Sequence, residues 1–255
     1  MGIVFLAVDG LNLIRRVYAG TPEGDAHFED ALQACVSSLG RALHEFSPTH
    51  AVVVFDGEGP TFRHELYRDY KAGRKPMPEE LRAGLHRYRE SFSNQGVSSV
   101  EREGTEADDV IATLAVGVAN HAGRSIILST DTVYCQLLAE QIHVRDHFEK
   151  RELDEEYVRK KFGVAPEQLV DFWALAGSGT TQIPGVPGIG AKTARKLLEE
   201  HESLDAILRA AASIPGKPGA LLREHAKMAE LSRELARLRT DLALGWNLRD
   251  FRFGR

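Results

Sequence analysis

Three short apolar runs in the chain end on an aspartate. Residues 3–8 stop at Asp9-Gly10, residues 51–55 at Asp56-Gly57, and residues 125–130 at Asp131. Continuous apolar runs of this length, rich in β-branched residues, suit strands buried on both faces, as in a parallel sheet. Between them the period changes. Ala31, Leu32, Cys35, Val36, Leu39 and Leu43 recur at helical spacing, which predicts a helix over 25–46. The pattern predicts strands near 3–9, 51–55, 97–101, 125–130 and 141–145, with an edge hairpin near 148–153. Helices are expected near 11–19, 25–46, 106–121 and 133–139. From Asp154 onward only helices are predicted, at 154–162, 166–177, 191–200, 203–212 and 217–238, before an irregular tail from Thr240. The fold class is therefore α/β: a mostly parallel sheet flanked by helices over 1–153, then a helical region over 154–255.

Charge sharpens this picture at residues 104–109, Gly104-Thr105-Glu106-Ala107-Asp108-Asp109, at the mouth of an apolar helix. Thr105 offers an N-cap, and acids in the first turn oppose the helix dipole. That accounts for one or two acids; a third on the same turn adds repulsion. A divalent cation relieves it, and hard Mg²⁺ or Mn²⁺ takes oxygen ligands. In open α/β sheets the functional crevice lies at the carboxyl ends of the strands. One metal pocket built from Asp9, Asp56, Glu106, Asp108, Asp109 and Asp131 follows.

A second informative segment is Ile183-Pro184-Gly185-Val186-Pro187-Gly188-Ile189-Gly190, with two prolines and three glycines in eight residues. It predicts a tight hairpin with exposed backbone NH groups, followed by a helix carrying Lys192, Arg195 and Lys196 near its start. NH groups at a helix N-terminus bind phosphate, so the pattern suggests a sequence-independent grip on a duplex backbone. Residues 61–93 alternate cations with Phe62, Tyr67, Tyr70, Tyr88 and Phe92, broken by Pro76 and Pro78. Rings that stack on bases and cations that track phosphates suit single-stranded nucleic acid.

Composition adds one tension and two exclusions. The chain has 255 residues and a formal net charge of −5, unexpected for a nucleic-acid binder. An acidic metal pocket with local basic patches reconciles the two. The patches are Lys71/Arg74/Lys75, Lys192/Arg195/Lys196 and Arg159/Lys160/Lys161, the last read as a solvated helix face. Two cysteines, Cys35 and Cys135, sit among apolar residues and fit a reducing, cytoplasmic compartment. The N-terminal apolar run is too short to span a membrane.

With Tyr70-Lys71-Ala72-Gly73-Arg74 added, these motifs resemble the 5′-nuclease (flap endonuclease) superfamily, most closely its stand-alone exonuclease IX-type members. Asp9-Gly10, Arg16, Asp56-Gly57, the Tyr-Lys-Ala-Gly-Arg string, Glu106-Ala107-Asp108-Asp109, Thr130-Asp131 and the hairpin fall in the family's order over nearly the whole chain. The resemblance implies a PIN-like sheet, a helical arch near 61–93 and a helix-hairpin-helix around 183–190. It implies Mg²⁺-dependent cleavage of branched or 5′-flap DNA by a monomer in replication or repair. Asp108 is then the most direct metal ligand, and Lys71 and Arg74 contact the scissile phosphate. Arg16, Tyr70, Gly188, Ile189, Gly190, Ala191, Lys192 and Thr193 complete the DNA-binding set. K⁺ is expected on the main-chain carbonyls of Leu175, Ala176, Pro184, Val186 and Ile189. The chain departs from the family at Val133, Ser178 and Thr181, where acids of a second metal site are usual, so one tight divalent ion is expected without DNA. Two alternatives stay open: a flap- or junction-binding protein that cuts weakly, and an RNase of related fold.

Overall fold

The computed structural model describes residues 2–179 and 181–254. The chain runs β1 (Val4–Asp9), α1 (Gly10–Gly20), α2 (His27–Phe46), β2 (His50–Val54), α3 (Phe62–Leu66), α4 (Glu79–Asn94), β3 (Ser98–Val100), α5 (Ala107–Ala119) and β4 (Arg124–Leu128). It continues through β5 (Ile142–Asp146), β6 (Arg151–Glu152), α6 (Glu155–Phe162), α7 (Leu169–Ala176), α8 (Ala191–His201), α9 (Leu204–Ala210), α10 (Gly216–Glu224) and α11 (Ala226–Ala236). The strands form one sheet in the order β3-β2-β1-β4-β5-β6, parallel except for the antiparallel edge strand β6.

Each central strand alternates its side chains between two cores. In β1, Phe5 and Ala7 face the core that also holds α5, α7 and α11, while Leu6 and Val8 face the one built with α1, α2 and α4. That two-sided burial is why the strands read as unbroken apolar runs. Both cysteines are buried and free.

The parallel sheet, with its central strands close to the predicted places, was legible in the pattern; three details were not. Residues 133–139 form a 3-10 turn, Thr132–Leu137, capped by Asp131, whose Oδ1 accepts from the Val133 NH at 2.9 Å. The predicted helix over 217–238 is two helices that break at His225. The 61–93 segment is a short helix, a turn and a packed helix. Leu81, Gly84, Tyr88 and Phe92 of α4 are buried, and Tyr88 meets Phe28 of α2 edge-on at 5.5 Å. Arg82, Arg87 and Arg89 pair with Glu79, Glu29 and Glu101. Tyr88 and Phe92 belong to the core, and the arginines of α4 are neutralised. Over α4 the aromatic–cation alternation records an amphipathic helix, not a stacking surface.

One buried cation ties both halves of the chain together. Arg63 of α3, 2% exposed, donates to both oxygens of Asp109 at 2.6 and 2.9 Å and to Glu106 at 3.1 Å. It also donates to the carbonyls of Leu235 and Arg237 at 2.9 Å each. Asp109 accepts in addition from the Arg239 NH at 2.9 Å. The segment after α11 is thereby pinned along α5, and its end reaches β2, where the Phe253 NH donates to the Thr49 carbonyl. Arg63→Met should cost about 3–5 kcal/mol, since it strands two buried carboxylates. Urea unfolding measures this, and a loss under ~1 kcal/mol would contradict the tie.

Candidate active site

The strand order reverses between β1 and β4, and at such a switch point the carboxyl ends of two neighbouring strands leave a crevice. Asp9 ends β1, and its Oδ1 caps α1 by accepting from the Asn12 NH at 3.0 Å. Asp56 lies two residues past β2 and accepts from the Ala107 NH at 2.8 Å, at the first turn of α5. Gly57 is required beside it, since a Cβ there would stand 1.7 Å from the Arg102 carbonyl oxygen. The Asp-Gly pairs are thus strand-to-helix joints whose carboxylates cap helices facing the crevice.

Asp9, Asp56, Asp108 and Asp131 line one cavity of about 400 Å³, together with Asn12, Arg15, Arg16, Lys71, Arg74, Thr130 and Thr181. Burial first, then repulsion from Asp56 and Asp131, pushes the Asp9 carboxyl up to about 7, against the Asn12 NH bond that lowers it. Burial, then repulsion from Asp9 and Asp131, likewise raises Asp108 well above the usual carboxylate range, with Lys71 opposing. Among the described residues no three carboxylate, imidazole or thiolate groups close on one point. The donor set, all carboxylates and mutually repelling, nonetheless fits a hard divalent cation that keeps part of its water shell.

The other two expected ligands stand elsewhere. Successive residues on a helix point about 100° apart, so Asp109 cannot face the same way as Asp108. It is turned inward onto Arg63 and is a structural anchor. Glu106 lies between the two environments, accepting from Lys71 at 2.9 Å, Arg63 at 3.1 Å and the Tyr70 hydroxyl at 3.2 Å. Tyr70 itself is 4% exposed, so its ring is closed to a nucleobase. Lys71 and Arg74 both line the cavity, and Lys71 holds a positive φ of 55°. Arg16 lines it too, with its guanidinium 5.3 Å from the Phe148 ring centre.

Several contributors carried no sequence signal strong enough to find them. Tyr134, fully buried, donates to Asp108 at 2.7 Å and sits 3.4 Å from Asp9. Ser129 donates to Asp9 at 3.1 Å, and Asn12 accepts from the Thr130 NH and hydroxyl at 3.0 and 3.1 Å. Arg15 lines the cavity with a buried Nε that has no partner among the described residues. Burial and the neighbouring Arg74 hold its pKa below the ordinary value. One helical step from Arg16, it could have been suspected as its companion.

The hairpin joins α7 to α8. Ser178 and Ile183 bridge its mouth, the Val186 NH donates to the Leu175 carbonyl at 2.8 Å, and the Ile189 NH donates to the Val186 carbonyl at 2.9 Å. Ile183, Val186 and Ile189 are buried, so Ile189 can offer a ligand only its backbone. Gly188, Gly190, Ala191 and Lys192 are exposed, and Thr193 is half-buried. The start of α8 has no side-chain cap and no acid in its first turn.

Comparison with known proteins agrees with this geometry. The 5′-3′ exonuclease N-terminal resolvase-like domain matches residues 4–163, and the 5′-3′ exonuclease C-terminal SAM fold matches residues 164–255. The chain belongs to the 5′-3′ exonuclease family of flap nucleases. It is 47% identical over 256 residues to the flap endonuclease Xni of Edwardsiella ictaluri, covering 99% of this chain and 98% of that one. It is 44% identical to the protein of the same name from Photobacterium profundum, with the same coverage. Among solved structures, T5 5′-exonuclease with bound zinc superposes with a TM-score of 0.77 at 23% identity, covering 93% of this chain and 90% of that one. The catalytic core of Rad2 in complex with DNA substrate gives 0.57 at 16% identity, covering 94% and 81%. These likenesses bear out the expected family, the nuclease class and the fold: a mostly parallel sheet with a C-terminal helical region. Among the described residues no helix is long and apolar enough to cross a membrane.

The crowded carboxylates predict a pH effect on the metal-free protein. A carboxyl whose folded pKa is raised stabilises the fold at low pH, and that stability is lost as pH rises through the window. For Asp9 the window runs from about 4 to about 7. His147, pushed down to about 4 by burial, gives the opposite slope, so the comparison is with Asp9→Asn. Thermal melts in EDTA should show wild type losing stability relative to Asp9→Asn across this range, and Mg²⁺ should offset the loss. Parallel melting curves at every pH would contradict the crowding.

Proposed function

We propose that this nuclease cuts DNA at 5′ flaps and other branches, as a monomer in the cytoplasm during replication or repair, with Mg²⁺ (or Mn²⁺) in the aspartate-lined cavity. The observation that carries the reading is one cavity holding Asp9, Asp56, Asp108 and Asp131 opposite Arg15, Arg16, Lys71 and Arg74. That is the charge arrangement for a phosphodiester bridged to a cation. When bound, Mg²⁺ lowers the pKa of a coordinated water and polarises the phosphate. Asp108 would be the central ligand, with Asp9, Asp56 and Asp131 holding the ion directly or through waters. One tight ion is expected in the DNA-free protein.

The remaining work falls to the chain. Tyr134 fixes the Asp108 carboxylate by hydrogen bonding, and Ser129 fixes Asp9. Lys71, resting on Glu106, and Arg74 offset charge that grows on the phosphate in the transition state. Downstream, the free NH groups at the start of α8, with Lys192 and Thr193, hold a duplex phosphate. K⁺ would sit on carbonyls at the α7 end and hairpin, from Leu175, Ala176, Pro184, Val186 and Ile189. Leu175 and Val186 already accept one backbone bond each and keep a second lone pair. The competing reading, a flap- or junction-binding protein that cuts weakly, draws on Val133, Ser178 and Thr181 standing where the resembled family has acids.

Two variants test this function. Asp108→Asn keeps the shape but removes a ligand charge. Cleavage of a labelled 5′-flap substrate should be abolished while flap binding and fold persist; near wild-type rates at saturating Mg²⁺ would overturn the assignment. A side chain at Gly190 meets no protein atom within 4 Å, whereas Gly188 has a φ of 82° and would strain. Gly190→Val should therefore weaken duplex binding about fivefold by blocking backbone approach. Unchanged affinity in a filter-binding or anisotropy assay would remove the hairpin from the interface.

A further inference from the structure

A second, smaller cavity of about 180 Å³ opens beside the first and shares Asp108, Asp131 and Thr181 with it. Its other walls include Val133, Phe162, Trp173 and Ile183, with Ser178 and Lys161. We propose that this cavity is an anion site for the phosphate monoester at a DNA strand end, bound by Lys161 and Thr181 with the Ser178 hydroxyl at its edge.

Each acid lining the cavity already accepts at least one hydrogen bond. Glu106 accepts from Lys71, Arg63 and Tyr70, Asp108 from Tyr134, and Asp131 from the Val133 NH. Lys161 and Thr181 keep donor capacity. Of the two cations among the described lining residues, Arg63 is consumed by Asp109, Glu106 and two carbonyls. Lys161 donates to the Tyr157 hydroxyl at 3.0 Å, and an ammonium has two further N–H groups. Its amine lies 5.3 Å from the Phe162 ring centre, which steadies it at the rim. The Thr181 Oγ1 is buried with no partner among the described residues, a cost that a bound acceptor would remove. An ammonium and an orphaned hydroxyl lining one small cavity recognise an oxyanion. The apolar side chains of Val133, Phe162, Trp173 and Ile183 around them lower the local dielectric, which strengthens charge-assisted hydrogen bonds. Because the rim is shared with the aspartate cavity, a phosphate here lies next to the site of cleavage. Lys161, read from the sequence as part of a solvated face, would then grip one end of the cut strand.

The proposal rests on the chain's acting on DNA strand ends, and its test separates the two claims. Affinity is measured by anisotropy for a short duplex with a 5′-phosphate and for the same duplex with a 5′-hydroxyl. Ca²⁺ serves as the hard cation for the carboxylates. Wild type should prefer the 5′-phosphate by about tenfold. Lys161→Met and Thr181→Val should each cut the preference to about twofold. Lys160→Met, one residue away on the same helix, should leave it unchanged. Ser178→Asp with Thr181→Asp should abolish the preference by placing carboxylates against the anion. A wild-type protein with no preference, or Lys161→Met retaining the full preference, overturns the anion site. Flap cleavage by the same wild-type preparation is scored separately. Cleavage without a phosphate preference defeats only this inference, and a preference without cleavage defeats only the nuclease reading of the site.

Discussion

The arrangement of the site depends on one buried cation. Arg63 takes Asp109 bidentately and holds Glu106, so two of the three acids at the start of α5 are drawn inward and Asp108 is left to face the crevice. Without that capture the first turn of α5 would carry three competing carboxylates in one low-dielectric space. The same guanidinium reaches the carbonyls of Leu235 and Arg237, so the chain segment that closes the helical region is bound to the helix that presents Asp108 to the cavity. Scaffold and chemistry are joined through a single residue, and removing one partner of such a cluster costs far more than the cluster's net worth.

Around Asp108 the protein has sorted its polar groups by function. Tyr134, Ser129 and Asn12 fix the carboxylates and the strand ends. Arg15, Arg16, Lys71 and Arg74 oppose them across the cavity. The overall charge of −5 therefore does not describe the cavity, where four cations stand with four aspartates. The hairpin contributes backbone rather than side chain. Ile183, Val186 and Ile189 are buried and hold the turn, and its exposed positions are Pro187, Gly188 and Gly190, followed by Ala191 and Lys192 at an uncapped helix start.

The sheet and the aspartate cavity are largely legible in the sequence, because both are local patterns: an apolar run, an acid, a glycine. Asp9, Asp56 and Asp131 were found this way, and the structure sets them in one cavity with Asp108. What escaped the sequence depends on distant partners. Asp109 and Asp108 are indistinguishable as neighbours in the chain, and Arg63, forty-six positions earlier, decides between them. The aromatics of α4 resembled a stacking surface because an amphipathic helix and a nucleic-acid face use the same residue types. Only Phe28 packing on Tyr88 reveals which is present. Tyr134 sits in an apolar stretch with nothing to mark its hydroxyl as bound to Asp108. Lys161 lay in a basic run that reads as a solvated face, and Arg159 is indeed paired with Glu155 at 2.7 Å. Lys161, two positions further on, lines the second cavity.

The central claim is that Asp108, with Asp9, Asp56 and Asp131, holds the divalent ion while Asp109 belongs to the scaffold. Anomalous diffraction from crystals of the DNA-free protein soaked in Mn²⁺ tests it most directly. The account predicts one strong peak inside the aspartate-lined cavity, nearest Asp108, with Asp109 still paired to Arg63. A peak coordinated by Asp109, or a second tight ion in the space beside Ser178 and Thr181, would contradict it.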